Sequence, residues 1–250
     1  VGLTDAMENM GIDLQTAVSS SIFYTGFIML DPIVGGDVER AAKLRQAISI
    51  AVDFEEYISI FLNGRGIPAH GVIPPGITGF TEGEEGINTH VYEWSAQGAQ
   101  RKTIEEARRL LAEAGYPEGR DIETGKPLTM YLDTTASGPD DKARLDWLRK
   151  QFAKLNIQLV IRSSDYNRFQ DKMRKGTAQI FQWGWNADYP DPENFLFLLY
   201  GPNGKAEYGG ENAANYSNGE FDQLFEQMKN MDNGKERQEI IDRMMEILRK

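Results

Sequence analysis

The chain has 250 residues, 40% of them hydrophobic and 26% charged, which is enough apolar material for one large core or two small ones. Its 38 acidic against 27 basic side chains leave a net charge of −11, excluding a general nucleic-acid binder, whose phosphate contacts need a basic face. The absence of cysteine excludes disulfides, thiolate chemistry and zinc–thiolate sites, and no apolar stretch is long enough to span a bilayer.

Residues 1–10 show no basic region followed by an apolar core, and the chain starts on valine, so it reads as a processed or truncated piece. Thr4–Met10 predicts a short helix followed by extended chain. Ser21–Leu30 (SIFYTGFIML) is rich in aromatic and branched residues, as a buried strand requires, and Asp31-Pro32 with Gly35-Gly36 breaks the pattern. From Val38 to Val52, Leu44, Ala47, Ile48 and Ala51 recur at helical spacing. Asp53 is a plausible N-cap for a second helix, Glu55–Leu62, which Asn63-Gly64 ends. Residues 64–100 carry Pro68, Pro74, Pro75 and frequent glycines, and predict a long irregular excursion, either functional or a plain surface loop. Thr103 and Glu106 form a T-x-x-E box before the helix Ile104–Ala114, which Gly115 closes.

Leu128–Asp133 then predicts a strand, Asp140–Leu155 an amphipathic helix and Ile157–Ile161 a second strand. Asp165 or Asn167 caps a helix running to Lys175, and Gln179–Trp185 makes a third strand. Strand–helix–strand–helix–strand is an α/β unit with helices packed on a sheet. A short apolar helix near Glu193–Leu199 and two closing helices, Glu220–Asn230 and Lys235–Arg249, complete the chain.

The segment most suited to chemistry is Gln182–Asn194 (QWGWNADYPDPEN). It follows a strand, at the carboxyl edge where open α/β sheets place ligands. Trp183, Trp185 and Tyr189 offer apolar area with a polar handle, and Asp188, Asp191 and Glu193 offer carboxylates for a cationic group. Strand alternation sends Trp183 and Trp185 to one face, where they could equally fill the core, and the two aspartates could be turn residues beside proline. An enzymatic alternative is a glycoside hydrolase using the Asp188, Asp191 and Glu193 carboxylates. No G-x-S-x-G elbow exists, and His70 and His90 lack metal-site spacing, so no metal or cofactor is expected. A third alternative is a non-catalytic interaction domain docking through the charged faces of residues 140–155 and 235–250.

W-x-A-D-Y-P-D-P-E-N-F at Trp185–Phe195 resembles the signature loop of the oligopeptide- and dipeptide-binding proteins of ABC importers, the bacterial extracellular solute-binding proteins of family 5. Asn215-Tyr216-Ser217-Asn218 with Glu220-Phe221-Asp222 resembles that family's N-Y-x-N-x-E-F-D segment, and Lys235-Glu236-Arg237 matches the start of its closing helix. Tyr24–Leu30 resembles the family's Y-x-G-F-N strand, with Ile28 in the usual place of asparagine. Lys43–Asp53 resembles its V-R-Q-A-I-x-x-A-I-D helix.

The resemblance implies an α/β fold like that of type II periplasmic binding proteins, here as a C-terminal lobe with a mixed sheet flanked by helices. Residues 1–36 would be the hinge-proximal segment, and the N-terminal lobe would lie outside this chain. The implied protein is a monomeric, periplasmic, non-enzymatic receptor. It would take a small peptide or related solute between two lobes and deliver it to ABC importer permease subunits. In this chain Asp188 would accept the ligand's ammonium and Trp185 would wall a pocket, with Asn186, Tyr189 and Trp183 as weaker contacts. Gln182 stands where some members carry arginine, so a ligand carboxylate would need another partner.

Overall fold

The computed structural model describes residues 2–249. Thr4 caps the short helix α1 (Asp5–Asn9), and exposed extended chain leads to β1 (Ser21–Phe27). The strand stops at Phe27 rather than Leu30, because the Asp31 carboxylate accepts the N–H groups of Ile33 (2.8 Å) and Val34 (3.0 Å) and folds the chain into a turn. Helix α2 (Glu39–Ala51) buries Leu44, Ala47, Ile48 and Ala51 as their spacing predicts. Asp53 caps α3 (Phe54–Leu62) by accepting the Glu56 N–H at 2.8 Å, and left-handed Asn63 ends it.

The irregular stretch 64–100 departs from expectation at its end. Residues Tyr92–Ser95 (β2) and Gly98–Arg101 (β3) pair as an antiparallel hairpin. What holds it is distant in sequence. The Arg101 guanidinium donates to Glu55 Oε2 (2.9 Å), the Ser49 carbonyl (2.7 Å) and the Tyr92 hydroxyl (2.6 Å). Local hydrophobic patterning carries no trace of such contacts.

Thr103 caps α4 (Ile104–Glu113), and β4 (Thr129–Thr134), α5 (Pro139–Ala153), β5 (Gln158–Ser163), α6 (Tyr166–Lys175) and β6 (Ile180–Asn186) follow in the expected order. Asp165, not Asn167, caps α6. The apolar helix after β6 divides into α7 (Glu193–Leu196) and a 3-10 turn. Then come α8 (Lys205–Tyr208), α9 (Gly219–Met228) and α10 (Lys235–Arg249).

The four-stranded sheet has the order β1-β6-β4-β5, with β6, β4 and β5 parallel and β1 antiparallel to β6. Side chains alternate between its faces. Met130, Leu132 and Ile180 enter one core with Leu148 and Phe152 of α5. Phe181 enters another with Phe169 and Met173 of α6. Helix α5, which follows β4, covers the first face, whereas α7, which follows β6, packs through Phe195 with Ile22 and Trp185, on the Phe181 face. The connections after these two strands thus leave toward opposite faces, which makes their carboxyl ends the switch point where such sheets bind ligands. A third core joins α7, α9 and α10 through Phe195, Phe221, Phe225, Ile241 and Met244.

Candidate functional site

Strand β6 outruns β4. The two pair only at Leu132–Ile180 and Asp133–Phe181, whereas β1 follows β6 as far as Ser21–Asn186. The Ala187 N–H donates to the Ser20 carbonyl (2.9 Å). Bonded residues alternate along an antiparallel ladder, so Trp183 and Trp185 bond β1 while the backbone groups of Gly184 and Asn186 turn the other way, past the end of β4. That leaves a strand edge open at the switch point.

The loop beyond β6 is fixed from within. Buried Asn194 presents its Oδ1 to the Trp185 indole N–H (3.2 Å) and to the Asp188 backbone N–H (2.8 Å), holding the expected pocket wall and ammonium acceptor in one unit. Trp185 also packs edge-on against Phe197, with centroids 5.1 Å apart. Asp191 accepts a bidentate pair from Arg237 at 2.7 and 2.8 Å, and Arg237 is only 3% exposed. Burial pushes the Asp191 carboxyl up, but the guanidinium and the Glu193 N–H outweigh it and hold the pKa below the usual carboxylate range. Glu193 accepts from the Tyr189 hydroxyl, whose pKa rises chiefly through that hydrogen bond. Asp188 differs: its carboxylate is exposed and has no protein partner among the described residues.

Asn186 lies exposed at the rim and accepts from the Ser21 hydroxyl (2.7 Å). Trp183 is packed between Phe169 (5.1 Å) and Phe181 (6.4 Å), with the buried Lys205 ammonium 5.7 Å from its ring. Together with Tyr24, Trp185 and Glu211 it lines a recess of ≈ 10 Å³, room for about one water. Burial and then the Glu211 charge push the Tyr24 hydroxyl up to about 12. The residues brought together are thus Trp185 and Asp188, with Asn186 and Tyr189 at the rim and Trp183 behind. Sequence reasoning missed the two side chains that hold the loop. Asn194 and Arg237 both sit inside quoted motifs, and their presence there was the available signal. Among the described residues no group of three histidine or acidic side chains gathers as a metal site.

A mixed sheet flanked by helices, with an open strand edge and, on a locked loop, an aromatic ring beside a carboxylate unpaired among the described residues, has the fold of type II periplasmic binding proteins. The sequence profile described as bacterial extracellular solute-binding proteins, family 5 Middle, matches residues 4–207, and the chain belongs to this family. It is 31% identical over 197 residues to heme-binding protein A of Haemophilus influenzae, covering 78% of this chain and 32% of that protein. It is 28% identical over 182 residues to the periplasmic oligopeptide-binding protein OppA of Salmonella typhimurium, covering 73% of this chain and 30% of that protein. The structure of the periplasmic binding protein DppA from Helicobacter pylori, in complex with the peptide STSA, superposes with a TM-score of 0.71 at 21% identity. That match covers 92% of this chain and 40% of the other. The chain thus spans about a third of the length of the curated relatives it matches.

Proposed function

We propose that this chain is the C-terminal, ligand-contacting lobe of a periplasmic, monomeric receptor that captures peptides and hands them to an ABC importer. A second, N-terminal lobe would close the site. The observation that carries the reading is Asp188. Its carboxylate is exposed and unpaired among the described residues, and its backbone N–H is held by Asn194, next to an indole and an open strand edge. A peptide added along Gly184–Asn186 would bond through its main chain, leaving its ammonium to the carboxylate. Main-chain recognition favours peptides as a class without fixing their side chains. No bond is made or broken in this reading. The hydrolase alternative would require paired carboxylates, and Asp191 is already committed to Arg237.

The test is calorimetry on the two-lobed protein carrying Asp188→Asn. Peptides with a free amino terminus should weaken about tenfold or more, the scale of one charge-assisted hydrogen bond, while N-acetylated peptides change little. Equal losses for both would show that Asp188 does not hold an ammonium.

A further inference from the structure

An extended ligand lying along the open edge of β6 directs alternate side chains to the two faces of the sheet. Trp183 and Trp185 occupy one face. The other face carries Phe23, 78% exposed and the most exposed large apolar side chain among the described residues. Phe23 pairs across the ladder with Gly184. Its ring lies over that glycine so closely that a Cβ there would sit 2.6 Å from Cδ1 and 2.8 Å from Cε1. The ring therefore leans over β6 at Gly184 instead of standing out from the outer strand. Phe27, on the same face of β1, packs against the main core, while Phe23 lies beyond it. The apolar ring thus stands uncovered beside an edge suited to an extended chain.

We propose that Phe23 is a specificity-determining residue of the binding site, favouring an apolar ligand side chain where that side chain points to the face of Phe23 and Gly184. This deepens the peptide reading and rests on it. Glycine at 184 is what lets the ring reach the ligand track, so the pair acts together. Aromatic cover of a strand glycine also stabilises sheets, and that purely structural role predicts no periodicity in ligand preference.

The experiment uses the two-lobed protein and four tetraglycine-based peptides with free amino termini, each carrying one leucine at position 1, 2, 3 or 4. In the unmodified protein leucine should favour binding at particular positions. Phe23→Ala should lose about tenfold of that preference at a position within one alternating set and leave the other set, facing Trp185, unchanged. Phe23→Leu should retain part of it, and both variants are checked by thermal melting. Equal losses at all four positions, or a lowered melting temperature with the leucine preference intact, would overturn the role of Phe23. Peptide binding by the unmodified protein with no alternating response to Phe23→Ala counts against Phe23 alone. No peptide binding by the unmodified protein removes the peptide reading and this inference with it.

Discussion

Asp188 and Asp191 stand three residues apart on one loop and differ in their surroundings: the first carboxylate is exposed and unpaired among the described residues, the second is bound by Arg237. Asp191 is spent on structure. Its bidentate bond to Arg237 ties the loop to α10, and Arg237 also donates to the Met228 carbonyl at 3.1 Å. Removing one partner of such a pair leaves the other buried or half-buried without compensation. Arg237→Ala should therefore cost about 3 kcal/mol, the lower end of the range because Asp191 is partly exposed, as read by urea unfolding. The pH dependence follows from the lowered Asp191 pKa. A carboxyl whose folded pKa lies below its unfolded value of about 3.9 contributes stability that is complete above that pH and lost as pH falls through the folded value. The natural chain should lose stability steeply below about pH 4, and Asp191→Asn should lose less over the same interval. Parallel losses for the two chains would mean that the pair contributes nothing. The different partners of the two aspartates were only partly legible in the sequence. The loop motif pointed to Trp185 and Asp188, but the arginine that claims Asp191 lies on a helix far along the chain, and only folding brings it there.

At the scale of elements, local chemistry was legible wherever it was sufficient. Asp53, Thr103 and Asp165 all cap the helices that their positions predicted. The hairpin of β2 and β3 escaped notice because its support comes from Glu55 and Ser49, and the end of β1 was misplaced because a side chain of the following turn decides it. The junction of α3 with α5 is of the same non-local kind. Glu56 accepts from the Trp147 indole and from Gln151 Nε2, each at 2.8 Å, and both donors belong to buried residues. Glu56→Ala would strand both donors and should cost about 2 kcal/mol, lowering the melting temperature by roughly 4–8 °C for a chain of this size. Glu56→Gln keeps an acceptor and should cost clearly less. Equal shifts for the two variants would show that the helix contact, not the hydrogen bonds, carries the junction.

At the scale of the whole molecule, the order β1-β6-β4-β5 does two things together. It buries β4 and β6 between helices on both faces, and it leaves the end of β6 standing past its parallel neighbour with one edge free. The site is consequently a wall. The recess behind Trp185 holds ≈ 10 Å³, whereas specific small-ligand sites enclose most of the ligand surface. A peptide laid on this wall alone would satisfy one side of its backbone and keep the rest in water. The same peptide closed between two lobes would be desolvated on all sides, and each polar contact would strengthen as water left. Calorimetry with di- to pentapeptides should therefore find binding to this 250-residue chain at least about a hundredfold weaker than to the two-lobed protein, or none. The comparison separates two sources of affinity. If the wall alone bound peptides tightly, Asp188, Trp185 and the open edge of β6 would suffice as a site, and closure would govern release to the importer instead of capture.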